Sequence, residues 1–464
     1  MTYPDTNTNT DINKYTDMLQ NLGISTDESE MFSESQQKAL DLFIDGKNLF
    51  IHGFAGTGKS FLIKYFKKYI KEKTNKTIFI TATTGIAAYN INGITINKYS
   101  GVGTGDQNVK QLLRNITRNS SRETIRATDI LIIDEISMMS AELFEKLDEI
   151  FRHVRQTPNE LFGGIQLVIC GDLLQLLPVF TKNEELYGEQ DKRLIIESPL
   201  FLKHFKRYKK ETKTKQSNII NLKENFRQDS DKSFSDLLFR LRFGILTDSD
   251  KELLQTRVSK VIPRNTLHLV SSNRQAQEIN KKNLDILKEK EYTFTPRFTK
   301  NTSNDITKTL QSDLEFQFKQ RGLDNLILKK GCRVMLVKNT DVINGLVNGA
   351  TGTVLEIFPH QVRVAFDNGV TENISTVTWT SEFNNSIVSA VQIPLIVAFS
   401  LTIHKSQSLT LDNVIIDLGD SIFCEHQSYV ALSRARNLDN VYITRLAFDK
   451  ITVNKRVLEF IKDF

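Results

Sequence analysis

The sequence predicts an α/β protein of two doubly wound parallel-sheet lobes, with a small basic insertion in the first lobe and a β-barrel insertion in the second. Three observations carry this. A glycine-rich phosphate-loop sequence joins an apolar strand to an amphipathic helix. Apolar strands alternate with helical stretches on both sides of the chain's middle. Between about Glu289 and Gln392 that rhythm gives way to short β-rich runs punctuated by Asn-Gly and Asp-Asn-Gly turns.

Residues 1–30 hold six acids (Asp5, Asp11, Asp17, Asp27, Glu28 and Glu30) and one base, Lys14. Against a whole-chain charge of +6, the remainder therefore carries +11. Asn and Thr crowd the first ten residues without periodicity, so this segment is expected to be a disordered acidic leader.

The first lobe is expected over 31–200. Asn48 to His52 reads as a strand and Phe61 to Ile70 as a helix, and Gly53-Phe54-Ala55-Gly56-Thr57-Gly58-Lys59-Ser60 between them fits G-x-x-x-x-G-K-S. The glycines let successive backbone N–H groups face phosphate oxygens at a helix N-terminus. Lys59 would reach the β- and γ-phosphates, and the Ser60 hydroxyl would hold magnesium. A plain glycine turn is the alternative, and the full match in its strand–helix context disfavours it. From about 98 to 128 a Gly-rich turn and six bases (Lys98, Lys110, Arg114, Arg118, Arg122 and Arg126) interrupt the alternation as a basic insertion.

Asp129 to Ile133 is an apolar strand ending in Asp134-Glu135, a Walker-B arrangement. Asp134 suits the magnesium and Glu135 the proton of the attacking water. Taken alone, the pair has a lesser alternative as caps of the helix beginning near Ser140. A third strand, Gln166 to Cys170, leads into Gly171 to Val179, where the amide of Gln175 could sense a γ-phosphate. Without its neighbours, the segment is as well read as a strand and a Pro-terminated turn.

The second lobe is expected over 201–288 and 393–464. Its basic run (Lys203, Lys206, Arg207, Lys209, Lys210, Lys213, Lys215) reads first as a solvated loop, with nucleic-acid contact or nuclear localisation as the lesser alternatives. Alternation resumes at Ile219, with a strand at Leu267 to Ser271 and a helix at Arg274 to Leu287. The insertion over 289–392 contributes runs at Cys332 to Val337, Gly352 to Ile357, Val362 to Phe366 and Val377 to Thr380. Parallel strands are expected again at Leu395 to Ser400, Val414 to Asp417 and Val441 to Thr444.

Composition narrows the class. A hydrophobic fraction of 39% over 464 residues supports several cores. No apolar run is long enough for a membrane helix, and no signal-peptide or Arg-rich transit pattern opens the chain, so a soluble, intracellular protein that is not secreted is expected. Cys170, Cys332 and Cys424 lack C-x-x-C spacing, which argues against a zinc site or a disulfide framework. The basic body fits a polyanionic partner. Abundant Lys, Asn, Ile and Phe suggest an AT-rich genome, viral or protist. In a viral case the nucleus or cytoplasm of the host cell would be the compartment.

Two arginines stand out in the second lobe, Arg227 in Leu222-Lys223-Glu224-Asn225-Phe226-Arg227-Gln228 and Arg434 in Tyr429-Val430-Ala431-Leu432-Ser433-Arg434-Ala435-Arg436. Guanidinium forks match phosphate oxygens, and carrying them on the opposite lobe makes hydrolysis depend on closure. In this order the motifs resemble the PIF (petite integration frequency) family of DNA helicases, of the RecD-like B-type branch of superfamily one, over roughly residues 32–445. Phe32 to Gln36 resembles the adenine-reading Q motif, and Thr81 to Ala88 through Gly93 and Thr95 resembles motif Ia. Leu131 to Met139, Gly171 to Val179 and Leu222 to Gln228 resemble motifs II, III and IV; Thr402 to Gln407 resembles motif V and Tyr429 to Arg436 motif VI.

The resemblance implies two RecA-like lobes of the P-loop NTPase fold, with ATP and magnesium between them and an SH3-like insertion at Val334 to Asn339 and Leu346 to Gly349. Gln36 would read adenine, and Arg227 and Arg434 would meet the γ-phosphate. Thr83, Thr84, Gly85 and Thr95 would touch single-stranded DNA, and His404 with Lys405 would couple DNA to the cleft. Leu177, Ser408 and Asn97 depart from the family pattern, and the family's long N-terminal extensions are not in this sequence. The implied activity is ATP-dependent 5′-to-3′ unwinding by a monomer on single strands and duplex junctions, in replication, repair, recombination or telomere maintenance, with no membrane partner. An ATP-gated DNA-binding switch without unwinding, a RecD-like subunit of a nuclease complex and a metabolic P-loop kinase are the rivals. Lys405 and the two arginines speak against the last.

Overall fold

The structure is a computed structural model. It describes residues 32–462 except 104, 106, 117–120, 179–192, 209–214, 225, 227–230, 259–265, 304, 339, 342, 343, 345, 347, 384, 385, 408 and 412. The expected leader and Ser408 lie outside the described residues.

The first sheet has six strands in the order Ile94–Thr95, Ile78–Ala82, Ile130–Asp134, Gln166–Gly171, Leu49–Gly53, Ile219–Leu222. All its neighbours run parallel. Leu49–Gly53 and Ile130–Asp134 are buried along their whole length, as expected of parallel strands covered on both faces. Helices Glu34–Ile44 and Lys59–Lys73 pack one face through Leu40, Phe43, Leu62 and Phe66. Ala141–Arg155 and its neighbours pack the other through Phe144, Leu147 and Phe151. The expected basic insertion contains helices Val109–Ile116 and Ser121–Ala127, which anchor into this second face by Leu112 and Ile125.

Register sets the site. Ala82 lies opposite Asp134, and His52 opposite Gly171, so these strands end at one level. Open α/β sheets bind ligands at that carboxyl edge.

The second sheet is also parallel, in the order Ser400–Thr402, Leu267–Val270, Val414–Leu418, Val441–Leu446. Helices Lys232–Arg242 and Gln427–Leu432 share its core. Between the two halves of the second lobe the chain is β-rich, and among the described residues its strands pair antiparallel in separate sheets. A five-stranded sheet carries Arg333–Leu336, Thr351–Ile357 and Gln361–Phe366, and a three-stranded sheet pairs Val377–Phe383 with Ser386–Gln392. Helix Asp305–Arg321, which the alternation did not suggest, packs Leu314 and Phe318 onto the latter sheet.

Three boundaries differ from expectation. Ile219–Leu222, expected to open the second lobe, is instead the sixth strand of the first sheet, paired with Leu49–Gly53. A short apolar strand can complete whichever sheet offers it an open edge, and periodicity does not name the sheet. Leu395–Val397 is likewise antiparallel to Arg333–Leu336 within the insertion, so the returning parallel strand is Ser400–Thr402. Finally, the last helix, Lys455–Ile461, packs on the first lobe: Val457 and Ile461 join its core, and Arg456 pairs with Glu197 at 3.0 Å. The chain therefore stitches its two lobes together at both crossings.

Gly93 marks a close approach, because a Cβ there would lie 2.4 Å from the carbonyl oxygen of Ile80 on the neighbouring strand. Gly93→Ala should push the Ile94–Thr95 edge strand off the sheet at a cost of about 1–3 kcal/mol, which thermal denaturation reads as a fall in Tm of several degrees. An unchanged Tm would show that the edge strand relaxes freely.

Candidate nucleotide cleft and its nucleic-acid side

The phosphate loop follows the buried strand Leu49–Gly53, and positive φ angles at Gly56 (91°) and Gly58 (83°) let it curl before helix Lys59–Lys73 begins. Lys59 Nζ donates to the carbonyl oxygens of Gly53 (2.7 Å) and Phe54 (2.9 Å), which holds the ammonium within the loop. Burial pulls its pKa down, and the carboxylates of Asp172, Glu135 and Asp134 oppose that pull. Thr57 Oγ1 donates to the Phe54 carbonyl at 2.9 Å. Ser60 stands exposed in the helix's first turn, next to Lys59. Gln36 forms a capping box with Ser33 and donates from Nε2 to the Thr57 carbonyl at 3.3 Å, so the expected adenine reader lies against the loop.

Asp134 ends its strand fully enclosed. Burial raises its carboxyl, and the charge of Glu135 adds to the rise, to about 7. Glu135 adopts a left-handed conformation (φ 54°, ψ 46°) that turns it off the strand's end. Thr83 fixes this turn: its N–H donates to Asp134 O at 3.2 Å and its hydroxyl to Glu135 O at 2.8 Å. Gln175 is buried beyond Gly171, and its Oε1 has no partner among the described residues.

The second lobe reaches both parts of this site. Tyr429 Oη accepts from Ala55 N in the phosphate loop (3.3 Å) and donates to Asp172 Oδ2 (3.1 Å). Arg242 Nη2 donates to Asp172 Oδ1 at 2.7 Å and to His52 Nε2 at 3.2 Å. Burial drives the His52 pKa down to about 3, and Arg242 pushes it the same way, so the imidazole is neutral. Its Nδ1–H then faces Asn221 Oδ1 at 3.3 Å. Burial, the largest single influence, would raise the Asp172 carboxyl, but the charge and hydrogen bonds of Arg242 together with the other cationic neighbours, Lys59 among them, hold the group well below the usual carboxylate range. Gln407 Nε2 donates to Glu135 Oε2 at 2.9 Å across the lobes.

Of the two arginines singled out in the sequence, Arg434 is enclosed, donating to Val430 O (2.8 Å), Leu409 O (3.3 Å) and Ser433 Oγ (2.8 Å). Burial lowers its pKa, and Glu135 is the largest opposing charge. Arg227 lies outside the described residues. Its neighbour Phe226 donates its N–H to Gly56 O in the phosphate loop at 2.9 Å.

The expected DNA contacts fall into two groups. Thr83, Thr84, Gly85 and Thr95 line the carboxyl edge of the first sheet, and the threonine hydroxyls carry local structure: Thr84 Oγ1 accepts from Ala87 N, and Thr95 caps helix Ile96–Ser100. His404 and Lys405 sit in the turn after Ser400–Thr402, where burial lowers both pKa values. The His404 ring stacks near-parallel (14°) on the exposed Phe423, 6.0 Å between centroids. Asn97, one of the departures, donates to Gly103 O at 2.7 Å, and Leu177, another, packs against the first-lobe core.

Sequence reasoning missed Asp172, Arg242, Tyr429, His52 and Gln407 as parts of the cleft. Asp172, Tyr429 and Gln407 lie inside recognised segments. Arg242 reads only as a base in a helix's last turn, where bases are common.

A phosphate loop, a buried acid pair and second-lobe side chains bonded to both define a two-lobed phosphate-loop nucleotide protein. A family profile described as PIF1-like helicase matches residues 24–252, and one described as DNA helicase Pif1, 2B domain matches 318–357. The chain is 37% identical over 438 residues to the human ATP-dependent DNA helicase PIF1, covering 92% of this chain and 63% of that protein. The crystal structure of Pif1 helicase from Candida albicans superposes with a TM-score of 0.74 at 31% identity, covering 93% of this chain and 99% of that one. A Bacteroides Pif1 structure in complex with ADP-AlF3 and single-stranded DNA superposes at 0.66 and 28% identity, with 93% and 96% coverage. The chain belongs to the PIF1-like helicase family, and its two parallel sheets are RecA-like lobes. It spans somewhat less than two thirds of the length of the human relative.

The raised Asp134 pKa carries a stability consequence. A folded-state carboxyl above its ordinary 3.8 binds protons that the unfolded chain releases, so without nucleotide and metal the fold loses stability as pH rises from about 4 to about 7. Asp134→Asn should remove that loss. Its Tm at pH 7.5 is expected to exceed the wild-type value by several degrees, with the two converging near pH 4. Parallel pH–Tm curves would contradict the assignment.

Proposed function

We propose that the chain is an ATP-dependent DNA helicase that moves 5′ to 3′ along single-stranded DNA and separates duplexes at junctions. The observation that carries this is the double contact of the second lobe with the nucleotide site, Tyr429 on the phosphate loop and Gln407 on Glu135. A cleft built from both lobes makes nucleotide state and lobe geometry one variable. Motion follows if His404 and Lys405, in the same turn as Gln407, grip the strand.

In this reading Lys59 leaves the Gly53 and Phe54 carbonyls for the β- and γ-phosphates, and the loop's N–H groups hold the remaining oxygens. Glu135 takes the proton of the attacking water, and Gln175 orients that water or the γ-phosphate. Arg434, with Arg227, stabilises the charge that develops on transfer. Gln36 reads the adenine. The antiparallel insertion is assigned the SH3-like role, and one chain, which holds both walls of the cleft, is the working unit.

The donors present suit magnesium. Ser60, in the first turn after the loop, and Asp134, at the end of its strand, offer hard oxygen ligands of the kind magnesium takes when it is shared with phosphates. Bound there, the ion would neutralise phosphate charge. Asp134, raised by burial, would gain the cationic partner that favours its ionised form.

Strand displacement tests the reading. Duplexes with a 5′ single-stranded tail should be unwound in the presence of ATP, and those with a 3′ tail should not. DNA binding with ATP hydrolysis but no displacement would instead establish the switch. Glu135→Gln should retain nucleotide affinity and lose hydrolysis by about 100-fold or more, as measured by steady-state ATPase beside nucleotide titration. Loss of both together would give Glu135 a ligand role.

A further inference from the structure

We infer that Gln407 is a positioning residue for the Glu135 base, so that the second lobe aims the group that the first lobe supplies; this rests on the functional reading above. Glu135 sits at the end of a buried strand, with its backbone fixed from the first lobe: Thr83 binds its carbonyl, and its N–H donates to Asp134 Oδ1 at 2.9 Å. Those bonds set where the side chain starts. The bond from Gln407 Nε2 to Glu135 Oε2 at 2.9 Å fixes one carboxylate oxygen.

Gln407 is itself rigidly held. It is 5% exposed and follows the fully buried Ser406, whose hydroxyl donates to Ile403 O at 2.8 Å. Ser406 N donates to Thr402 O at 3.0 Å, Lys405 N to Thr402 Oγ1 at 3.2 Å and Gln407 N to His404 O at 3.3 Å, which closes a compact turn on the end of strand Ser400–Thr402. A displacement of the second sheet therefore reaches the carboxylate directly. Gln407 Oε1 is buried with no partner among the described residues. An acceptor beside the base can accept a hydrogen bond from the water whose other proton passes to Glu135. One amide would thus orient both base and nucleophile, and misplacing such groups by about 1 Å costs on the order of 100-fold in rate.

The test is ATP turnover of the whole chain with saturating single-stranded DNA. Gln407→Ala should lower kcat roughly 10- to 100-fold, leaving the KM for ATP and the affinity for a fluorescent oligothymidylate within about twofold of wild type. Gln407→Met, which fills the space without an N–H, should match it, and it replaces the Ala variant if that one fails to fold. In a Glu135→Gln background, Gln407→Met should cost nothing further, because groups acting through one another are not additive. Undiminished kcat in a folded variant, a loss of equal size in the Glu135→Gln background, or a loss confined to DNA affinity would each overturn the inference. A wild-type chain that hydrolyses no ATP would instead remove the functional reading itself.

Discussion

The ion pair between Asp172 and Arg242 is the interaction on which the cleft depends. Asp172 follows the last residue of a first-sheet strand, and Arg242 ends a helix of the second lobe; both are buried, 2.7 Å apart. Removing charges from water is expensive, and deleting one partner of such a pair typically costs about 3–5 kcal/mol because the other is left uncompensated. Here the cost is offset by a full set of partners. Tyr429 donates to the carboxylate, and neutral His52 accepts from the guanidinium. The guanidinium also lies 5.9 Å from the centre of the Phe54 ring and 5.3 Å from that of Phe243.

This network sits directly behind the phosphate loop. Tyr429 spans Asp172 and Ala55, so the same hydroxyl that satisfies the ion pair contacts the backbone of the phosphate loop. Phe54 and Phe239 meet edge-on across the lobes, with ring centres 6.2 Å apart. A shift of the second lobe must repack charged and aromatic groups together, which favours discrete arrangements over gradual deformation.

The lobes are joined by chain as well as by charge. Strand Ile219–Leu222 completes the first sheet before the polypeptide enters the second lobe, and helix Lys455–Ile461 returns to the first-lobe core from the second sheet's last strand. Asn348 of the insertion donates to Asn90, at the end of the helix after Thr84, at 2.8 Å, adding a bridge on the expected nucleic-acid side.

The sequence alone determined the elements whose chemistry is local. The phosphate loop, the Asp134-Glu135 strand end and most of the alternation of strand and helix depend on residues within a few positions of one another, and their boundaries emerged within one to three residues. The antiparallel insertion was legible for the same reason, since Asn-Gly and Asp-Asn-Gly turns specify hairpins locally. Tertiary structure decided what depends on distant pairing. It assigned Ile219–Leu222 and Leu395–Val397 to their sheets, because a short apolar strand carries no label for its partner. It also brought Arg242 to Asp172, 70 residues away, and Gln407 to Glu135, 272 residues away. A lone Arg at a helix end or a Gln in a turn looks like any other surface residue until the fold buries it against its complement, and the free energy of that burial is a property of the assembled cleft.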